Sequence, residues 1–153
     1  MAKKIAIGAD HGGYDLKEKI IKLLKRSGHR VEDVGTYSPE SSDYPVFGFD
    51  AAKKVSTGKA DRGIVICKSG IGMSIIANKL PGVRAALCHT EEDAVSSRKH
   101  NDANVLVLSA TKTGARRAER LTKLWLGTRA LSGRHARRVD QIKKLEKKVF
   151  KKL

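Results

Sequence analysis

Two hydrophobic periods alternate along this chain. Short apolar runs rich in β-branched residues at 3–8, 29–34, 63–66, 83–88 and 105–108 have the length and bounds of strands. Between them lie stretches of helical period. Residues 14–27 carry Leu16, Ile20, Ile21, Leu23 and Leu24 on one broad stripe closed by Gly28, which predicts an amphipathic helix. Asp43-Tyr44-Pro45 introduces a second helix running to about Thr57, with Gly58 as its stop. Further helices are predicted over 73–79, 91–99 and 113–126, the last ended at Gly127. Ser132-Gly133-Arg134-His135 then opens a final basic helix, in which Val139, Ile142, Leu145, Val149 and Leu153 recur at helical spacing. The polar punctuation falls at 35–42, at Pro81-Gly82 and at 100–104, the last read as a polar turn.

Strands alternating with helices at this spacing predict an α/β protein with a parallel sheet covered on both faces. The expected architecture is a three-layer, doubly wound, Rossmann-like fold with a five-stranded parallel sheet and a C-terminal basic helix over about 134–151. At 153 residues the chain is read as one domain, 1–153. No run of about 18 apolar residues occurs, and the amino-terminal MAKKIAIGAD enters a strand without an apolar signal core. A soluble cytoplasmic protein is the expectation. The two cysteines, Cys67 and Cys88, have neither CxxC nor Cys/His ligand spacing, so reduced thiols are expected rather than a disulfide or zinc site.

The densest chemistry lies at 63–74, GIVICKSGIGMS, which reads as strand, glycine-rich loop and helix. Such an arrangement aims unpaired N–H groups at whatever lies beyond the strand, and so favours an anion or a developing oxyanion. Cys67 at its rim is either an inert buried thiol or a usable base or nucleophile. The loop Ser69-Gly70-Ile71-Gly72 cradles an anion or merely makes a tight turn. Neither dinucleotide nor Walker-A spacing is present, which argues against dinucleotides and nucleoside triphosphates. Asp10-His11 after the first strand is a helix cap with a surface histidine, or an acid/base or phosphate contact at the active edge of the sheet. His100-Asn101 has a plain turn reading too. Because it precedes the fifth strand, it lies on the opposite side of the sheet from the other groups; if all three share one site, a second subunit brings it.

The formal charge of +16 at first suggests nucleic acid. Much of the surplus follows Arg116 and coincides with the terminal amphipathic pattern, and no nucleic-acid motif accompanies it. A solvated basic helix face is therefore preferred, with a nucleic-acid module and a membrane surface both disfavoured. Arg134 and Arg138, four apart, share one helix face and could fork onto a phosphate.

Taken together, IAIGADHGGYDLK, the DYP at 43–45, DRGIVICKSGIGMSIIANKLPGVRAAL, SRKHNDANVL and SGRHARRVDQI resemble, in order and over nearly the whole chain, the ribose-5-phosphate isomerase B family, which is similar to the galactose-6-phosphate isomerase subunits. The resemblance implies interconversion of ribose 5-phosphate and ribulose 5-phosphate through an enediolate, with neither metal nor organic cofactor. It implies that Cys67 removes the C2 proton, that Ser69 shuttles a proton between O1 and O2, and that the backbone N–H groups of Gly70, Ile71, Gly72, Met73 and Ser74 stabilise the enediolate. Asp10 and His100 would open the furanose ring, Asn101 would contact substrate, Tyr44 would line the pocket, and His11, Arg134 and Arg138 would hold the phosphate. It also implies a homodimer or a dimer of dimers with shared active sites, the C-terminal helix packing at the dimer interface. An isomerase of a six-carbon sugar phosphate, allose or galactose 6-phosphate, is the alternative, and a nucleic-acid-binding module the alternative from another class.

Three positions depart from the family pattern. Lys68 stands between the cysteine and the hydroxyl residue, where glycine is usual. The arginine common near 111 is missing, with Lys112 beside the place. Ser132 replaces the first glycine of GGRH. Cys67 together with Met73, where related enzymes carry a glutamate base, places the chain among the members that use cysteine.

Overall fold

The computed structural model describes residues 1–150; Leu153 of the terminal apolar pattern lies outside them. The chain runs β1 (Lys4–Ala9), a 3-10 turn (His11–Gly13), α1 (Tyr14–Arg26), β2 (Arg30–Asp33), α2 (Tyr44–Ser56) and β3 (Arg62–Cys67). It continues α3 (Ile71–Ala77), β4 (Ala85–Leu87), α4 (Glu91–Asn101), β5 (Val105–Ser109), α5 (Ala115–Gly127) and α6 (Arg134–Phe150). The five strands form one parallel sheet in the order β2-β1-β3-β5-β4. The expected doubly wound α/β architecture is therefore present.

The alternation within each strand divides the core in two. Ile5, Ile7, Ile64, Ile66, Leu106 and Leu108 point to one face, where they pack with Leu16, Ile20 and Leu24 of α1, Ala94 of α4, and Leu121 and Trp125 of α5. Ala6, Val65, Cys67, Val105 and Val107 point to the other, against Ala51 and Ala52 of α2 and Met73 and Ala77 of α3. Strands buried on both sides have no polar face to display, which is why they read in sequence as continuous apolar runs.

Several boundaries shift by one or two residues, α3 starting at Ile71 rather than Met73, and two differences are larger in consequence. The fourth strand is only three residues long: the Val83 N–H still closes the turn onto the Leu80 carbonyl (3.3 Å), while Arg84 and Cys88 keep one hydrogen-bonded side each at the ends of the ladder, the Cys88 N–H reaching the Val107 carbonyl (3.1 Å). His100 and Asn101, expected in a turn, are the last turn of α4. The αL conformation that ends this helix falls on Asp102 (φ 44°). Asp102 tolerates that conformation because its carboxylate pairs with Arg98 (2.7 Å), which also donates to the Ala103 carbonyl (2.6 Å). The helix start is fixed by a reciprocal capping box of Thr90 and Asp93.

Candidate active site

β1 connects to β2 on one side and the chain then crosses to β3 on the other, so the strand order reverses between β1 and β3. The crevice outside their carboxyl ends is where a doubly wound sheet takes its ligand. The turns leaving these two strands meet there. Gly13 lies so close to the end of β3 that a Cβ on it would stand 2.6 Å from the Ile66 carbonyl oxygen. The stem of Lys68 covers Gly12, with its Cγ 2.4 Å from where a Cβ would be. Glycine at 13 is thus a requirement of close approach to the β3 backbone, whereas at 12 only the flexible Lys68 stem would have to move, and the approach sets Asp10 and His11 beside the Cys67 loop.

Asp10 is buried and its carboxylate accepts from the Gly13 N–H (3.2 Å), as an N-cap would. The expected cap therefore exists, at a position that also faces the crevice. His11 is held by Ser42: its backbone N–H donates to Ser42 Oγ (3.1 Å), and the Ser42 N–H donates to His11 Nδ1 (3.1 Å). Nδ1 also lies 3.2 Å from the Ser42 carbonyl oxygen, so Ser42 holds this nitrogen in either tautomer and fixes the orientation of the ring. Ser42 was not singled out in the sequence. It lies in the polar 35–42 stretch, two residues before Tyr44, where nothing local announces a contact 31 positions away.

β3 ends at Cys67, whose side chain is 5% exposed. The chain turns at Gly70, which adopts φ 79°, and the Gly70 N–H donates to Cys67 Sγ (3.2 Å). The Ile71 N–H donates to Ser69 Oγ (3.2 Å) and the Ser74 N–H to the Gly70 carbonyl (3.0 Å). Among the described residues no protein acceptor takes up the Gly72 and Met73 N–H groups. These two amides at the start of α3 are the ones open to a ligand oxygen. The Met73 side chain is fully buried against Gly48, so only its backbone can take part. The Tyr44 ring lies against Gly72, where a Cβ would meet its Cζ at 2.6 Å. The Lys68 carbonyl accepts from Ser109 Oγ (2.6 Å) and Thr111 Oγ1 (2.8 Å), which ties this loop to the end of β5. Cys88, by contrast, is fully buried and its thiol is pushed up to about 11 by burial.

His100, Asn101, Arg134 and Arg138 form a second group elsewhere. The His100 and His135 rings stack at 4.3 Å with 13° between their planes, which joins the end of α4 to the start of α6. His135 went unnoticed in the sequence beyond its place in the SGRH stretch. The end of α4 leads into the amino end of β5, at the Gly63–Val105 register, whereas Cys67 is opposite Ser109. Four residues of strand, roughly 13 Å, separate the two levels. The chain thus brings Asp10, His11, Tyr44, Cys67, Ser69 and the 70–74 loop together, and holds His100, Asn101, Arg134 and Arg138 together at the opposite edge. Among the described residues no three His, Cys, Asp or Glu side chains gather to hold a metal ion.

Fold and crevice define a doubly wound α/β protein with a thiol and open amides at the carboxyl edge of its sheet. Residues 5–142 match the model of a family described as Ribose/Galactose Isomerase. Ribose-5-phosphate isomerase B of Escherichia coli is 42% identical over 146 residues, 95% of this chain and 98% of that protein. Among solved structures, ribose-5-phosphate isomerase B of Clostridium thermocellum superposes with a TM-score of 0.93 at 50% identity, covering 95% of this chain and 99% of that one. The Mycoplasma genitalium isomerase B, solved with bound ribulose-5-phosphate, gives 0.91 at 38% identity over 94% and 96%. The chain belongs to the ribose/galactose isomerase family and is an aldose–ketose isomerase.

Proposed function

We propose that this single-domain chain interconverts ribose 5-phosphate and ribulose 5-phosphate, with Cys67 as the base. The observation that carries this reading is the loop in which one amide, that of Gly70, reaches the Cys67 sulfur while the next two free amides, those of Gly72 and Met73, lie within one turn of it. In the aldose direction the Cys67 thiolate takes the C2 proton of the open-chain sugar. The electron pair moves into the C1–C2 bond and the carbonyl oxygen at C1 becomes the enediolate oxygen. The amides meet that charge already oriented, the condition under which such donors are worth most. Ser69 Oγ accepts from the Ile71 N–H and keeps its own hydrogen to pass between O1 and O2. The thiol then returns the proton to C1, giving the ketose.

The His11 imidazole, oriented by Ser42, supports binding of the distal phosphate, whose affinity is used to orient the sugar. Tyr44, packed on Gly72, walls the crevice. Asp10, with His100 and Asn101 of the partner subunit, serves ring opening and substrate contact, and Arg134 and Arg138 complete the phosphate clamp. A homodimer satisfies this. His100, Asn101, Arg134 and Arg138 lie on one edge and the thiol on the other, so two chains complete two sites, and α6, with Ile142, Leu145 and Val149 exposed, packs at the interface. Two free cysteines fit a reducing cytoplasm. The test is turnover of ribose 5-phosphate, with allose and galactose 6-phosphates alongside, by the unaltered protein and by Cys67→Ala. Mixing Cys67→Ala with His100→Asn, each inactive alone, recovers activity if sites are shared. Full turnover by Cys67→Ala overturns the assignment of the base.

A further inference from the structure

A cavity of about 410 Å³ opens at the amino edge of the sheet, away from the thiol, between the ends of α1 and α5 and the starts of β1 and β3. Its walls include Lys3, His29, Arg62, Arg98, Lys123 and Arg129, and no acidic residue. Arg98 is balanced by Asp102 (2.7 Å) and by the Thr128 carbonyl (3.2 Å). Lys3, Arg62, Lys123 and Arg129 form no ion pair among the described residues. A plainer role for these cations is to offset the negative ends of α1 and α5, which terminate here. Two helix ends of about half a charge each account for only about one of the four. Asp61 and Asp102 act on Arg62 from outside these walls, which still leaves a net positive charge facing the concave space.

The individual groups are placed to donate. Arg62 is half-buried and spends one N–H on the neighbouring Asp61 carbonyl (2.8 Å). Its guanidinium is held below the usual arginine range by burial first and then by the charge of Arg98. His29 Nδ1 accepts the Lys3 N–H (3.1 Å), so the proton of the neutral ring is on Nε2. Burial lowers the pKa of this imidazole, which keeps it a neutral donor. Leu126 supplies an apolar floor, backed by the buried Leu23 and Leu24, as small-molecule sites commonly have.

We propose that this amino-edge cavity is a second ligand site, for an anion carrying several phosphate charges such as a nucleoside diphosphate, distinct from the sugar-phosphate crevice. Arg62 and Lys123 bind the phosphates and the leucine floor receives the organic part. Calorimetric titration of the intact protein with ADP, in the presence of saturating ribose 5-phosphate, tests it. The expected result is saturable binding that ribose 5-phosphate does not displace, weakened at least tenfold in Arg62→Gln and in Lys123→Glu, with isomerase turnover within twofold of the unaltered protein. Lys123 is exposed on α5, so its exchange reads the site without touching the core. Pyrophosphate binding as tightly as ADP supports the site and assigns its affinity to the phosphates; tighter ADP assigns the remainder to the leucine floor. No ADP binding, displacement by ribose 5-phosphate, or an affinity unchanged from the unaltered protein in either variant overturns the proposal. The Arg62 and Lys123 comparison does not depend on turnover, so failure of the isomerase assignment and failure of this site are separately visible.

Discussion

Gly70→Ala probes how far catalysis depends on the turn at the thiol. Gly70 adopts φ 79°, and a Cβ there would meet Leu87 Cδ1 at 2.4 Å. The leucine methyl is the end of a flexible side chain and can swing, so the dominant cost is the backbone: about 1–2 kcal/mol for an L-residue held in the left-handed region. In a chain of this size that lowers Tm by about 2–8 °C. Gly82→Ala is the control, because it too has a left-handed φ, 78°, but nothing within 4 Å of its Cβ and no place in the crevice. Both variants lose comparable stability. Only Gly70→Ala relieves its strain at the site, by rotating the amide that reaches Cys67 Sγ and disturbing the Gly72 and Met73 amides behind it. Loss of one preorganised donor costs about 10²–10³ in kcat. The assay is kcat for ribose 5-phosphate isomerisation well below either Tm, beside thermal unfolding. A Gly70→Ala protein that loses stability like Gly82→Ala and retains full kcat refutes the assigned role of the turn.

Cys67→Ala should lower kcat by about 10²–10⁴, the usual worth of a positioned base, while Tm moves little because the side chain is small and lies at the strand end; steady-state kinetics and thermal unfolding check both. Burial raises the thiol of Cys88 to about 11 from its ordinary 9.0, so its stabilisation is complete below pH 9 and is lost as pH rises toward 11. Denaturant unfolding across that window should fall less steeply for Cys88→Ala than for the unaltered protein; identical slopes would count against the burial argument. Arg98→Ala removes one of the two arginines that pair with Asp102, Arg84 remaining at 3.4 Å, and unpairs the Thr128 and Ala103 carbonyls; it should cost about 1–3 kcal/mol in denaturant unfolding. Thr90→Ala removes the capping-box hydroxyl that accepts from the Asp93 N–H (3.1 Å) and should cost about 1 kcal/mol, with turnover unchanged.

The strand and helix order was legible because it rests on local period: Ile5, Ile7, Ile64 and Ile66 fill one core while Ala6 and Val65 fill the other, and a strand buried on both faces must be apolar throughout. The thiol–glycine loop was legible for the same reason, since strand, loop and helix are contiguous there. The separation of His100 from the Cys67 edge follows from sheet polarity alone, since one precedes its strand and the other ends its own.

Legible along the chain was whatever depends on neighbours within a few residues, together with the family pattern carried by those segments. Only the tertiary structure decided that Ser42 orients His11 across 31 positions, that Lys68 lies over Gly12, and that His135 stacks on His100. It alone showed that the Gly70 and Ser74 amides are taken up within the loop while those of Gly72 and Met73 are open. It also gathered Lys3, Arg62 and Lys123 from three separate segments around one cavity. The physical reason is that such contacts depend on where the sheet carries each turn, and the spacing of residues along the chain holds no record of that.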